Sequence, residues 1–344
     1  MKHYAGLDVS LETTSICIVD EAGRIVAERK VATCPDAIAR ELRAEAPGLA
    51  RAGIETGPLA VWLWGELKRR ELPILCLDAR HANAALKMMP NKTDRADARG
   101  LAQIVRTGWF RQAYVKSAES HTVRALLAAR KQLVGMRCRL ENEIRGTLRT
   151  FGVRFGKRTG GFTRRAEAII AEDLAELPAI RFTVEALLCS RAALLERIRA
   201  FDGRLRALVR RQAVCRRFMT VPEIGTITAL AVHAAIDEPA RFRGSRTVGA
   251  YLGLTPRRHA SGETDRSGRI SKRGDGLTRT HLYEAANALL TRGAASSDLK
   301  DWGLRLAKKA GFRKAKTAVA RKLAVILHAT WKNGTEFRRQ TAGA

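Results

Sequence analysis

Residues 1–106 alternate between short apolar runs and stretches with helical spacing, and this alternation limits the fold more than any other feature of the chain. Apolar runs at residues 4–9, 15–19 and 25–31 predict three strands, with the turn Asp20-Glu21-Ala22-Gly23 before the third. Further strands are predicted at 52–55 and 74–77, and helices at 35–46, 61–70 and 94–106. Elements in this order predict an α/β domain whose central sheet has helices on its faces.

Four acidic residues stand at the ends of these elements, in the short motifs GLDVS, IETG and KTDRADA. They are Asp8, Glu55, Asp94 and Asp97. A first strand that ends in an acid and is followed by a hairpin is typical of an RNase H-like sheet. The three-residue spacing of Asp94 and Asp97 places both on one face of a helix. Because carboxylates from separate elements hold the two Mg²⁺ ions of phosphodiester chemistry about 4 Å apart, the four acids are candidate metal ligands.

Each acid also has an ordinary structural explanation, and the charge of the chain bears on the choice. Asp94 would cap a helix, and Asp97 would pair with Lys92 or Arg95. The formal net charge is +29, yet residues 1–115 hold 17 Lys and Arg against 14 Asp and Glu, while residues 116–344 hold 46 against 20. Such a field attracts phosphate whatever the base sequence. We therefore expect a nucleic-acid-binding protein whose acids hold metal ions.

Several protein classes are disfavoured by what the sequence lacks. It has no uncharged apolar stretch of about 18 residues, and its first residues, MKHYAGLDVS, contain no signal-peptide core. The six cysteines lie far apart, without a CxxC pair or a histidine at zinc-ligand spacing. These patterns predict a soluble intracellular protein with reduced thiols and no membrane partner.

Residues 116–217 change to a long helical periodicity. Apolar residues at three- and four-residue spacing run over 123–148 and again over 169–208, and the glycine-rich stretch GVRFGKRTGGF at 152–162 interrupts them. Two long helices folded back as an antiparallel coiled-coil hairpin fit this pattern. The arginines near 199–217 either keep a helix soluble or contact nucleic acid or another subunit, and their density favours contact.

Residues 218–344 are predicted to be mainly helical. The turn VPEIG at 221–225 is similar to half of a helix-hairpin-helix, in which backbone N–H groups face a phosphate, although Glu223 stands where glycine is usual. A Gly- and Arg-rich loop, GLTPRRHASGETDRSGRISKRG, follows a short helix, and helices are predicted at 281–290 and 315–331. The sequence thus divides into parts at 1–115, 116–217 and 218–344.

The motifs GLDVS, IETG and NKTDRADA, with VPEIG and GLTPRRHASG…GRISKRG downstream, together resemble one known family. It is the DEDD transposases of the bacterial insertion-sequence "one-ten" family, and the match extends in order over nearly the whole chain. In that family an RuvC-like domain is joined by a coiled coil to a C-terminal transposase domain, and the enzyme works with a bridge RNA encoded by its own element. The resemblance implies a cytoplasmic, nucleoid-associated recombinase that binds element ends and target DNA and forms a dimer or tetramer.

The resemblance also assigns roles to individual residues. It implies that Asp8, Glu55, Asp94 and Asp97 hold two Mg²⁺ ions, with Mn²⁺ as an alternative. It implies that Ser261, in RRHASG, is the nucleophile and forms a covalent phosphoserine link to DNA.

The residues of the serine loop, taken alone, leave its chemistry open. Ser267 and Ser271 compete with Ser261, and His259 is the one obvious local base for a hydroxyl that is a weak nucleophile by itself. The candidate phosphate-binding residues are Arg257, Arg258, Lys272 and Arg273, which would otherwise make ordinary backbone contacts.

Two other functions fit part of the sequence. An RuvC-like junction resolvase needs the acids but neither a serine nucleophile nor a long basic C-terminal part. An architectural nucleic-acid-binding protein needs only the basic segments, and its acids would be inactive. Magnesium dependence separates the architectural protein from the two enzymes, and a covalent protein–DNA adduct separates the recombinase from the resolvase.

Overall fold

The computed structural model describes residues 1–87, 92–156, 160–292 and 297–337. The chain forms two compact units, Met1–Val115 and Lys116–Ala344. Within the described ranges, no helix combines the length and apolar character that a membrane span requires. Residues 157–159 of the predicted helix break and Asn91 of the motif NKTDRADA lie outside the described residues.

The first unit is built around a five-stranded sheet, as the alternating pattern predicts. Its strands are β1 (His3–Val9), β2 (Thr13–Val19), β3 (Ile25–Ala32), β4 (Leu49–Glu55) and β5 (Ile74–Leu77). They lie in the order β3-β2-β1-β4-β5. The first three are joined as antiparallel hairpins, while β4 and β5 run parallel to β1.

Four helices cover both faces of this sheet. They are α1 (Pro35–Glu45), α2 (Ala60–Arg69), α3 (Ala79–Leu86) and α4 (Asp94–Thr107). The apolar sides of α1 and α2 pack with Leu7 and Ile54 in one core. On the other face α3 and α4 bury Ala82 and Leu101 against Leu77. The prediction of a mixed α/β domain is confirmed.

The second unit is mainly helical and begins with a long pair. Helix α5 (Ala118–Thr150) is followed by α6 (Phe162–Glu172) and then by α7 (Pro178–Arg211). Arg130 donates a hydrogen bond to Asp202, and Arg191 donates one to Glu141. The earlier residue of α5 thus meets the later residue of α7, and the later residue of α5 meets the earlier one of α7. The two long helices therefore run antiparallel, as predicted, and their winding as a coiled coil stays a prediction.

The remaining helices enclose the main core of this unit. They are α8 (Ala213–Phe218), α9 (Thr226–Ile236), α10 (Arg246–Tyr251), α11 (Gly276–Thr291), α12 (Asp298–Ala310) and α13 (Phe312–Asn333), with a short 3₁₀ turn at Pro239–Arg241. Phe218, Leu230 and Leu323 are among the fully buried side chains of this core. In the turn before α9, Glu223 adopts a φ of 63°, the left-handed conformation that glycine usually supplies there.

The serine loop is not a loop, and the prediction is wrong at this point. Strands β6 (Pro256–Ser261) and β7 (Thr264–Ile270) form an antiparallel two-stranded ribbon. Every residue of the ribbon is exposed except Ile270, which is half-buried. Because neither face packs on a core, neither carries the alternating apolar residues by which a strand is recognised in a sequence.

Candidate active site

Strand register brings Asp8 and Glu55 together. In the parallel pair β1–β4, Leu7 lies opposite Ile54, so the next residue of each strand, Asp8 and Glu55, ends the pair at the same edge of the sheet. Alternation along a strand puts both carboxylates on the face that α4 covers, whereas Leu7 and Ile54 point into the opposite core.

A close contact between α4 and the sheet brings in a third acid. Gly6, two residues before Asp8, leaves room for the α4 backbone, since a Cβ at Gly6 would lie 2.2 Å from the carbonyl oxygen of Ala98. The helix begins at Asp94, where the Thr93 hydroxyl accepts a hydrogen bond from the amide of Ala96. Asp97, in the first turn, therefore lies over the ends of β1 and β4.

The three carboxylates line one open pocket of about 630 Å³, together with Asn83 and Lys92. All three are half-buried. Burial, and then the negative charges of Asp97 and Asp94, raise the pKa of Asp8 to about 6. Burial, and then the charges of Asp8 and Asp97, raise the pKa of Glu55. Like charges have thus been gathered at one place, which is typical of a functional site rather than of a structural one.

Asp94 lies apart from the other three acids. It lines a neighbouring pocket on the β2–β3 side of α4, and its carboxylate forms an ion pair of 3.8 Å with Lys30. Its charge still acts on Asp8, whose pKa it helps to raise. Of the four predicted acids, the structure therefore brings three into one pocket and leaves the fourth beside it.

The donor set fits a hard divalent cation in its chemistry. Carboxylate oxygens are the ligands that Mg²⁺ and Mn²⁺ prefer, and a cation would relieve the mutual repulsion of Asp8, Glu55 and Asp97. Among the described residues, no three His, Cys, Asp or Glu side chains are close enough to hold a metal ion as they stand. A bound ion would draw these carboxylates together.

Asn83 is a pocket residue that the sequence did not single out. Its side-chain amide donates to Oε1 of Glu55 over 2.9 Å, which orients that carboxylate. Asn83 lies on α3, in the alanine-rich stretch HANAALK, where a lone amide is the only signal.

The second unit holds the other predicted site residues, on or just after the ribbon. Ser261 ends β6 at the turn and lies opposite Thr264. Arg257 and Arg258 are neighbours on β6, so they point to opposite faces of the ribbon. Arg258 bonds both carboxylate oxygens of Asp265, over 2.9 and 2.8 Å.

Lys272 and Arg273 follow the ribbon at its base. Both are exposed, and Lys272 adopts a φ of 53°. The carbonyl oxygen of Arg273 accepts a hydrogen bond of 3.1 Å from Arg279. The nucleic-acid contacts of these two residues stay a prediction.

Comparison with known proteins shows relatives over most of the chain. A DEDD transposase family of the IS110 type matches residues 5–152, and the Transposase IS116/IS110/IS902 family matches residues 215–300. The transposase for insertion sequence element IS1111A of Coxiella burnetii is 29% identical over 97% of this chain and 90% of its own length. The transposase for insertion sequence element IS1328 of Yersinia enterocolitica is 26% identical over 72% of this chain and 74% of its own length.

A further relative, the "Probable family 20 transposase" of Pseudomonas aeruginosa, is 34% identical over 72% of this chain and 74% of its own length. The match to DEDD transposases implies an RNase H-like fold for the first unit. The sheet, the gathered acids and these matches agree, and the chain belongs to the IS110-type insertion-sequence transposases, enzymes that cut and rejoin DNA.

Proposed function

We propose that this transposase moves its own insertion sequence by metal-dependent strand cleavage through a covalent serine intermediate, guided by a bridge RNA from the same element. The observation that carries the proposal is the pocket that Asp8, Glu55 and Asp97 line together, where burial and the neighbouring negative charges raise the pKa of Asp8 and of Glu55. Such a cluster of half-buried carboxylates is costly to a fold unless a cation uses it.

In this proposal Asp8, Glu55 and Asp97 hold divalent cations, Mg²⁺ or Mn²⁺, and Asp94 joins them from the neighbouring pocket. Bound there, the cations would neutralise charge on the scissile phosphate and help to deprotonate the attacking oxygen. Asn83 keeps one oxygen of Glu55 oriented by its 2.9 Å hydrogen bond. The pocket is open to solvent, which suits a polymeric substrate.

Ser261 supplies the attacking oxygen. Its Oγ forms a bond to the phosphorus of a DNA phosphodiester while one phosphorus–sugar oxygen bond breaks. The serine proton passes to a base, and the departing sugar oxygen gains a proton to become a hydroxyl. The reverse reaction with a hydroxyl from another strand restores Ser261, so the bond energy is conserved for rejoining.

The basic second part of the chain supports binding of polyanions in general. Residues 116–344 contain 46 Lys and Arg against 20 Asp and Glu, so DNA and a bridge RNA both suit its charge. A homo-oligomer, dimer or tetramer, is proposed because recombination joins several strands at once.

The acids are tested by separating cleavage from binding. We expect Asp8→Ala and Asp97→Ala to abolish strand cleavage and to change the affinity for DNA by less than about threefold, because the basic part supplies that affinity. Magnesium should raise the melting temperature of the wild type and not of Asp8→Ala. A large loss of DNA binding in either variant, or cleavage that survives chelation of metal, would contradict the proposal.

The guide is tested on the purified protein. We expect sequencing of co-purified nucleic acid to return RNA from the flanks of this reading frame. Recovery of only random cellular RNA counts against guidance, although it leaves the metal-dependent chemistry standing.

A further inference from the structure

The ribbon has two unlike faces, and the difference is set by register. On one face lie Arg257, His259 and Ser261 of β6 with Thr264 and Arg266 of β7, which we name the serine face. The pairs His259–Arg266 and Ser261–Thr264 lie directly opposite each other. The other face carries Arg258 and Ala260 with Asp265 and Ser267. We name it the paired face, because Arg258 and Asp265 join there in a two-pronged ion pair.

The charge of the two faces differs accordingly. On the paired face the charge of Arg258 is neutralised by Asp265, since both carboxylate oxygens of Asp265 accept hydrogen bonds from the Arg258 guanidinium. The ribbon's other acid, Glu263, lies in the turn rather than on a face. Within the described residues, no carboxylate lies within ion-pair distance of Arg266. The serine face therefore presents uncompensated positive charge beside a hydroxyl, on an element that nothing in its own unit covers.

Distance along the ribbon selects Arg266 from the arginines of the serine face. Arg257 precedes Ser261 by four residues, or about 13 Å at the rise of an antiparallel strand. Arg266 is the diagonal neighbour of Ser261 across the strands, about 7 Å away, which is within reach of a long side chain. A phosphate held at the Ser261 hydroxyl is therefore within reach of Arg266 but not of Arg257.

The base of the ribbon is packed tightly against the rest of its unit, and this packing holds the serine face in place. Added Cβ atoms at Gly253 and Gly274 would lie 2.1 Å from Arg273 O and 2.0 Å from Tyr251 O, which shows how tightly the backbone is packed there. The amide of Ser271 donates to the carbonyl of Thr255 over 2.8 Å. An arm anchored at one end and exposed along its length is suited to enter a groove of nucleic acid, which admits a two-stranded ribbon.

We infer that Arg266 binds the non-bridging oxygens of the phosphate that Ser261 attacks, and that the paired face of the ribbon makes no such contact. This inference rests on the proposed serine chemistry, and it adds a residue that the sequence did not indicate. A guanidinium beside the attacked phosphorus stabilises the charge that develops on the equatorial oxygens.

The test is a single-turnover assay with the full-length protein. The probes are duplex DNA from the flanks of the reading frame, RNA transcribed from the same flanks, and Mg²⁺. Covalent adduct is trapped in detergent and resolved on a gel. The compared proteins are the wild type and four variants, Ser261→Ala, Arg266→Gln, Arg266→Lys and Arg258→Gln. The two glutamine variants each remove one charge from the same ribbon, on opposite faces.

We expect Arg266→Gln to slow adduct formation about 100-fold at saturating DNA, with Arg266→Lys intermediate because lysine keeps the charge but not the fork. Arg258→Gln should slow adduct formation less than Arg266→Gln does, because Asp265 already holds the Arg258 guanidinium and any contact of Arg258 with nucleic acid would be general backbone binding. Melting temperatures of both glutamine variants should match the wild type, since both side chains are exposed. The absence of any Ser261-dependent adduct overturns the proposed function and this inference with it. A Ser261-dependent adduct that forms at the wild-type rate in Arg266→Gln, or at equal reduced rates in both glutamine variants, overturns the inference alone.

Discussion

Replacing Gly6 by alanine tests whether the contact between β1 and α4 builds the acidic pocket. A Cβ at this position would meet Ala98 O at 2.2 Å and Ala102 N at 2.3 Å, and both are backbone atoms of α4. Favourable contact between non-bonded carbons begins at about 3.5 Å. The helix must therefore move away from the sheet by about 1 Å, because no flexible side chain can yield instead.

The cost follows from this displacement. Overpacking a core typically costs about 1–3 kcal/mol, and a clash with helix backbone belongs at the upper end, so we expect about 3 kcal/mol. Because α4 carries Asp97 and β1 carries Asp8, the same movement separates two proposed metal ligands. A misplacement of about 1 Å costs catalysis about 100-fold.

Hydrogen exchange followed by mass spectrometry is the suitable assay. A chain of two compact units need not unfold in one step, so a single free energy of unfolding is poorly defined. Exchange in peptides from β1 and α4 reports the local stability, and 3 kcal/mol corresponds to roughly a hundredfold faster exchange. DNA cleavage is measured on the same preparations.

Gly65→Ala is the matched control. Gly65 lies within α2, and an added Cβ there would have no atom within 4 Å. Alanine should slow exchange in α2 slightly, because it favours a helix over glycine by up to about 1 kcal/mol. Hydrogen-exchange rates in α4 and a DNA cleavage rate within twofold of the wild type in the Gly6→Ala variant would refute this prediction. The close approach of helix and sheet would then not be what builds the site.

Two further predictions concern the second unit. Burial lowers the pKa of His328, whose ring nitrogens are bonded to Ser245 Oγ at 2.9 Å and Pro239 O at 3.1 Å. The unfolded state therefore binds more protons below about pH 6.5, and the melting temperature should fall between pH 7 and 5. His328→Gln should flatten that fall, and an unchanged slope would refute the assignment. Arg124→Met should destabilise the unit by about 3 kcal/mol, because it strands the carboxylate of Asp275, whose side chain is 8% exposed. Adding Asp275→Asn to Arg124→Met should restore part of the lost stability, measured as protection from hydrogen exchange. A double variant no more stable than Arg124→Met would show that the pair is not coupled.

The first unit could be predicted from the sequence because burial leaves a pattern there. Its strands are apolar runs bounded by turns, and its acids follow strands directly. That order alone predicts Asp8 and Glu55 at one edge of the sheet. The role of Gly6 could not be predicted, because a glycine inside a strand signals a close approach without saying what approaches.

The ribbon could not be predicted for the opposite reason. Its strands bury no side chain fully, so their sequence is mostly polar and charged and resembles a loop. The distinction between Arg258 and Arg266 depends on cross-strand register, and the turn that sets this register is recognisable only once both strands are known. The sequence therefore indicated the neighbours of Ser261 along the chain and missed Arg266, its neighbour across the ribbon.

Asp94 shows that spacing along a helix predicts which residues share a face but does not predict which of them share a pocket. Two residues three apart share a face, but at the start of α4 that face spans both the β1–β4 edge, where Asp97 lies, and the β2–β3 side, where Asp94 meets Lys30. The Asp94–Lys30 pair is weak, because it is 3.8 Å long and its side chains are 56% and 61% exposed. Exposed pairs of this kind contribute about 0–1 kcal/mol. Turning Asp94 toward the pocket therefore costs little, and the charge of a divalent cation beside Asp8 would outweigh that of one lysine.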